Sequence, residues 1–305
     1  MLLSRSLVTA TVAVAVVGLA VPASAETTGA TVLATIDRAA PASTPAAGSL
    51  VELPDRPGQP ITMTGVAGAE TLGLPTAPGS RPELSTSDAK AFDDPSGDFA
   101  VVAQKSGRGA RGLVIIDNDR APTEYRFPLG LAAGVRPHLA SDGGVDLLAE
   151  GKGATALVGR IEPAWAKGSD GRSVPTRYTL DRDTLVQTVD HRGAAYPVVA
   201  DPNMTDCSWY GECTTYFTRS YTRNTLKPAV DGGGAGVIGA ITAACTLAGG
   251  PVGALACGAV GGLSLAEAMA SINIAVAQNK CAALVRPLVP PAYVRVDDSG
   301  FCKDS

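Results

Sequence analysis

The stretch TRYTLDRDTLVQTV, residues 176–189, decides the fold class. Apolar and polar side chains alternate on either side of Asp181-Arg182-Asp183, which places two strands around a tight polar loop and predicts a β-hairpin. The texture around it is the same. From about Asp98 onward, short runs rich in Val, Ile, Leu and Tyr follow one another: FAVVAQ, RGLVIID, EYRFPLGL, GVDLLAE, TALVGRIEP, TRYTLD, TLVQTV and YPVVADP. Turn residues such as Asp142-Gly143-Gly144, Gly151-Lys152-Gly153, Ser169-Asp170-Gly171 and His191-Arg192-Gly193 punctuate them. Strands at this spacing predict an antiparallel, sandwich-like β-domain over 96–202. The run YPVVADP reads as its last strand, with Asp201-Pro202 blocking further pairing and marking a boundary.

The flanks differ. MLLSRSLVTATVAVAVVGLAVPASA carries one basic residue, Arg5, then an apolar run and the small-x-small site Ala23-Ser24-Ala25, the pattern of a signal peptide cleaved after Ala25. The apolar stretch is short for a bilayer crossing, and there is no twin arginine, so export by the general route to the extracellular space is expected. Residues 26–95 are dominated by Thr, Ala, Pro and Gly, as in APASTPAAGS. That composition predicts a disordered stalk, linker or propeptide as the default, with a short strand around Ser49–Leu53 or Ile61–Val66 as the alternative.

Net charge over the whole chain is -4. Losing Arg5 with the leader makes it -5, which argues against a nucleic-acid partner. From Asn203 onward seven basic and seven acidic side chains cancel, so the acidic excess belongs to the preceding part.

All six cysteines, Cys207, Cys213, Cys245, Cys257, Cys281 and Cys302, fall in this C-terminal tail, 203–305. In an exported chain, an even, clustered set reads as disulfides, and zinc spacing with histidine is absent. Within AACTLAGGPVGALAC, residues 243–257, a continuous helix would hold Cys245 and Cys257 roughly 18 Å apart, well beyond the roughly 7 Å a bridge allows. Folding back at Pro251 brings them opposite each other. A stapled pair of helices, about 235–248 and 252–266, is therefore favoured over a transmembrane span, although residues 232–266 carry no charge before Glu267. A third helix is expected in SLAEAMASINIAVAQNKCAALV, with Leu265, Met269, Ile272 and Val276 on its core face and Cys281 at its end. VPPAYVRVDDSGFC then returns extended to Cys302. Pairing nearest neighbours gives Cys207 with Cys213, Cys245 with Cys257 and Cys281 with Cys302. The fold expected is α+β: a stalk, a β-sandwich-like domain and a small disulfide-stabilised helical domain.

The segments EYRFPL, DGGVDLL, PAWAKGSDGRSVPT and AYPVVADP, within about Tyr125 to Pro202, resemble the β-rich region of secreted actinobacterial proteins. In those proteins a YPVVADP-type end often precedes a variable C-terminal part. Most are of unknown function. The resemblance implies a carrier region ahead of a separate, in some members toxin-like, tail.

Catalytic signatures are scarce. The chain has no G-x-S-x-G elbow, P-loop or H-E-x-x-H, and its two histidines, His138 and His191, lie beside Pro137 and in a turn, positions typical of surface residues. A hydrolase using either histidine ranks far behind a non-enzymatic reading. Asp117, Asp119 and Glu124 could gather around calcium, but without EF-hand spacing they read as a polar turn. No catalytic residue, cofactor or metal is assigned. Trp209 and Tyr210, between Cys207 and Cys213, are either a recognition surface or the cap of a small core. TTYFTRSYTR is expected as a strand with Phe217 and Tyr221 on one face, and Asn224 or Thr225 as the cap of a following helix. The function expected is a secreted non-enzymatic protein whose β-domain is a carrier or surface-binding module, with the cell envelope or a membrane surface as partner. The alternative is an antibacterial, membrane-perturbing effector acting through the helical hairpin.

Overall fold

The computed structural model describes residues 29–40, 50–65, 67–107, 109–207, 212–247, 263–287 and 291–304. The chain begins with helix α1 (Gly29–Ala39), followed by β1 (Val51–Glu52), β2 (Ile61–Gly65), β3 (Gly68–Leu72), β4 (Arg81–Ser85) and β5 (Ala89–Asp93). Eleven strands come next: β6 (Phe99–Ser106), β7 (Gly109–Ile116), β8 (Glu124–Gly130), β9 (Val135–Leu139), β10 (Val145–Gly151), β11 (Ala154–Ile161), β12 (Ala166–Lys167), β13 (Thr176–Asp181), β14 (Thr184–Val189), β15 (Val198–Ala200) and β16 (Asn203–Asp206). The C-terminal part adds β17 (Glu212–Phe217), α2 (Arg219–Tyr221), a π-helical turn (Thr222–Leu226), α3 (Lys227–Asp231), α4 (Val237–Leu247), α5 (Leu265–Ala277), β18 (Cys281–Pro287) and β19 (Tyr293–Asp297).

Residues 176–189 form the hairpin their alternation predicts, with Thr176 opposite Val189 and Asp181 opposite Thr184. The reversal takes only Arg182 and Asp183, and Arg182 turns with φ 55°. Two antiparallel sheets contain all the strands of the described residues. One runs β1-β2-β3-β8-β14-β13, the other β19-β18-β17-β11-β16-β7-β6-β5-β4, with β9, β10, β12 and β15 branching from it. Their facing sides share a core that includes Ile61, Leu72, Tyr125, Phe127 and Leu185 from the first sheet and Val101, Val114, Leu147 and Val158 from the second. In β8 burial alternates strictly, with Tyr125, Phe127 and Leu129 inward. In β7 every residue is buried, because the large sheet is covered on both faces. Its Val114 and Ile116 face the small sheet, while Leu113 and Ile115 face α1.

That helix corrects the reading of 26–95 as a disordered stalk. Val32, Ile36 and Ala39 form one helical stripe buried against Ala91, Ala100, Val102 and Val199. Two cationic side chains meet its C-terminal end, where backbone carbonyls lack partners: Lys167 Nζ donates to the Ala39 carbonyl at 2.9 Å and Arg111 to that of Ala40 at 2.7 Å. Five strands follow within 51–93. Composition misleads here because these strands are short and draw their apolar partners from later in the chain. Ile61 and Met63, for instance, are buried in the core shared with β7 and β8.

Asp201-Pro202 does not end the sheet. Both β15 and β16 pair with β7, Ala200 opposite Val114 and Asn203 opposite Arg111. Pro202 lacks an N–H, but its carbonyl accepts from Gly112 N at 2.9 Å, so the ladder crosses the proline with one donor missing. The tail is accordingly continuous with the β-framework: β17 pairs with β11, Phe217 opposite Ala154. A second core, with Phe217, Leu226, Val237, Ile241, Ile272 and Leu284, lies under the helices.

The segment TTYFTRSYTR is strand only as far as Phe217. Thr218 caps the helix, its hydroxyl accepting from Tyr221 N, so neither Asn224 nor Thr225 is the cap. The third helix also stops early. It is capped by Ser264 and ends at Ala277, Asn279 takes φ 55°, and Cys281 opens a strand instead of closing a helix. Helix α4 covers most of the first helix expected for the hairpin, whereas Cys257, Pro251 and most of the second fall outside the described residues. No helix among the described residues is long and apolar enough to cross a membrane. Cys207 is bonded to Cys213 and Cys281 to Cys302, and Cys245 is also disulfide-bonded.

Candidate functional site

A surface cleft of about 770 Å³ lies where the β10–β11 turn meets the start of the helical segment. Glu150, Gly151, Lys152 and Gly153 form one wall, and Thr218, Ser220, Tyr221, Asn224 and Thr225 the other. The second wall owes its shape to Pro228, which has no N–H to give the carbonyl of Asn224 and cannot continue an α-helical ladder. The chain widens by one residue, and Lys227 N donates to the Thr222 carbonyl five positions back. That bulge turns Asn224 outward and sets Thr225 at the cleft.

Neighbouring contacts hold this wall. Thr222 Oγ1 donates to the Thr218 carbonyl at 2.9 Å and accepts from Ala282 N at 3.1 Å. Tyr221 stacks on Phe217 at 6.0 Å between ring centroids and donates its hydroxyl to the Ala240 carbonyl. The opposite wall is clamped by Thr218 N donating to the Gly153 carbonyl. Gly153 has φ +87°, and a Cβ there would strike the Tyr221 ring, so the site calls for glycine. Charges at the rim are divided. Glu150 pairs with Lys303 at 3.5 Å and faces His138 Nε2 at 3.6 Å, while Lys152 makes no ion pair among the described residues. Ser220 Oγ accepts from the Asn224 side chain at 3.2 Å, leaving the serine hydroxyl proton and the Asn224 oxygen for a ligand. Hydroxyls, an amide, one ammonium and an aromatic flank suit hydrogen bonding to a polar ligand.

A second, smaller cleft of about 290 Å³ runs under α1, between Thr31, Thr35 and Arg38 and the carboxylates Glu83, Asp93 and Asp117. Burial, then Asp93, pushes Glu83 up to about 8; burial, then Asp93 and Asp98, raises Asp117 to about 6. Asp119 and Glu124 do not join Asp117. Both are exposed, and Glu124 pairs with Arg126 at 3.3 Å, so the three carboxylates do not converge on one ion.

The two histidines part company. His138 is on β9 and partly exposed, whereas His191, read from sequence as a surface residue, is fully buried. Its Nδ1 lies 3.0 Å from the Tyr196 hydroxyl and its Nε2 3.1 Å from the Pro122 carbonyl, so both ring nitrogens are taken up in holding a turn. Asp201 is buried between the sheets, where its Oδ1 accepts from Trp165 N at 2.9 Å and Gln187 Nε2 at 3.1 Å. Trp209 and Tyr210 lie outside the described residues. The one group of metal-ligand type that converges among the described residues is Asp206, Cys207 and Cys213, whose sulfurs are joined to each other and so are no thiolate ligands.

Sequence reasoning passed over three binding residues: Lys152 reads as part of a turn, Ser220 as part of a strand and Thr225 as a helix cap. The proline at 228 was the available signal for a register change. Comparison with protein-family models, curated proteins and solved structures finds no match to this chain.

Proposed function

We propose that the protein is exported, carries out no reaction of its own, and uses its antiparallel framework as a carrier for a surface that binds a hydroxyl-rich polymer, such as an envelope glycan. The observation that carries this reading is the cleft around the π-helical turn. Its volume is in the range of ligand sites, and its walls present Ser220, Asn224, Thr225 and Lys152 from opposite sides. The burial of His191 with both nitrogens engaged supports a non-enzymatic role. The disulfides support an oxidising destination.

The alternative, a membrane-perturbing effector acting through the helical hairpin, has less to support it. The apolar face of α4, with Val237, Ile241 and Ala244, is buried against Phe217 and Ile272, and the exposed side carries Thr242 and Thr246 with Ile238.

Co-sedimentation of the full chain with insoluble peptidoglycan, chitin and cellulose tests the proposal. The wild type is expected to pellet with at least one of them, and Asn224→Ala/Thr225→Val to lose that binding by about tenfold, in line with two lost hydrogen bonds of about 0.5–1.5 kcal/mol each. No retention on any polymer, or equal retention by the variant, refutes it. Dye release from anionic vesicles by the same protein would turn the reading to the alternative.

A further inference from the structure

Glu70, on β3 of the small sheet, is 3% exposed, and its Oε1 is buried without a hydrogen-bond partner. Asp206, on β16 of the large sheet and also buried, is the charged group that acts on it across the gap. Both carboxyls occupy notches left by glycines. A Cβ at Gly65 would stand 2.5 Å from Asp206 Oδ2. One at Gly159 would stand 3.7 Å from Glu70 Oε2 and 2.9 Å from the Thr205 carbonyl. Gly159 is also the strand partner of Asp206, so the missing side chain lies directly in line with the pair. The Asp206 carboxylate in turn lies within 4.8 Å of the sulfurs of Cys207 and Cys213, at the base of the loop they close.

We propose that Glu70 is a proton-operated latch between the two sheets: protonated, it holds β3 against β16 and the base of the disulfide loop; ionised, it loosens that junction. Arg286, on β18, is a cation near Asp206, and among the described residues Asp206 is the charge that acts on Glu70. Glu70, buried beside a second carboxyl and with its Oε1 lacking a hydrogen bond, is thereby favoured in its protonated form. Burial first and Asp206 second raise Glu70 from 4.5 to about 7. Because the folded value lies above the unfolded one, the latch is fully closed below about 4.5. It weakens as pH rises and is weakest above about 7.

Hydrogen exchange of the full chain, followed by mass spectrometry at pH 5.5 and 8.5 and corrected for intrinsic rates, tests this. In the wild type, protection of peptides spanning 61–72 and 203–213 is expected to fall at least tenfold at the higher pH. In Glu70→Gln the same peptides should change little with pH. Asp201→Asn, which removes a different buried carboxyl, should leave this local change in place. An equal loss in Glu70→Gln, or no loss in the wild type, overturns the latch. Should Glu70→Gln fail to fold, the carboxyl ¹³C titration of Glu70 in the wild type decides: a midpoint near 7 supports the latch and one near 4.5 overturns it.

Discussion

Asp201→Asn should raise stability by about 1–2 kcal/mol at pH 5 and by about 4 kcal/mol at pH 8.5. Asp201 is fully buried where the two sheets meet. It takes hydrogen bonds from Trp165 N on the large-sheet side and from the Gln187 amide on β14, and the Tyr178 hydroxyl of β13 lies beside it. Burial raises its pKa from 3.8 to about 7, although the hydrogen bonds from Trp165, Tyr178 and Gln187 favour the charged form. The folded value is the higher one, so the native state holds a proton that the unfolded chain gives up. Stability from this residue is complete below about pH 4, falls as pH rises and levels off above about 7. A gap of about 3 units is worth about 4 kcal/mol in full, of which about 3 kcal/mol falls between pH 5 and 8.5. Asparagine keeps the acceptor oxygen for Trp165 and Gln187, turns a donor toward Tyr178, and never ionises. Urea unfolding of both proteins at the two pH values measures the difference, with Asp201→Ala as a control. Alanine strands two buried donors, at about 1–3 kcal/mol each, at both pH values. Equal pH slopes for wild type and Asp201→Asn would refute the reasoning. So would an asparagine variant as damaged as the alanine one at pH 5.

Two further predictions concern the frame. Gly109→Ala would push a Cβ into the Met204 carbonyl and to 3.0 Å from Thr205 Cα, all backbone of the neighbouring strand. A loss of about 2 kcal/mol or more is expected from strand separation, read as a lower thermal midpoint, and an unchanged midpoint would show that β7 and β16 can slide apart freely. Removing the Cys281–Cys302 bond, which spans 21 residues, with Cys281→Ala/Cys302→Ala should cost about 3 kcal/mol in chemical unfolding. An unchanged midpoint there would mean that pairing of β18 with β19 already holds the C-terminus.

Much of the fold follows from local pattern. The hairpin at 176–189 is visible because alternation and a polar turn occur together, and the helix at Leu265–Ala277 because Ser264 precedes a periodic apolar run. The pairs Cys207–Cys213 and Cys281–Cys302 agree with nearest-neighbour pairing. Other features were hidden. Apart from the strands offered as an alternative at 49–53 and 61–66, where β1 and β2 lie, the strands of 51–93 look like linker because Thr, Pro and Gly dominate between single apolar residues such as Phe92, and a strand that borrows its core from β6, β7 and β8 needs few of its own. The binding cleft joins the turn at Gly151–Gly153 to residues 218–225, more than sixty positions away, and no local pattern announces that meeting.

Sequence alone therefore determined the antiparallel strand content, the turns, and the identity of the residues available for disulfides, since each depends on side chains close together in the chain. Tertiary structure decided which chemistry each residue has. Asp201 and His191 are ordinary turn residues in one dimension; in three, burial removes water from both and assigns their hydrogen bonds to the opposite sheet and to a neighbouring loop. Glu70 and Asp206 are 136 positions apart, and only sheet packing brings their buried carboxyls close enough for one to raise the pKa of the other. Burial and long-range contact are properties of the folded surface, and they set the free energy of every polar group inside it.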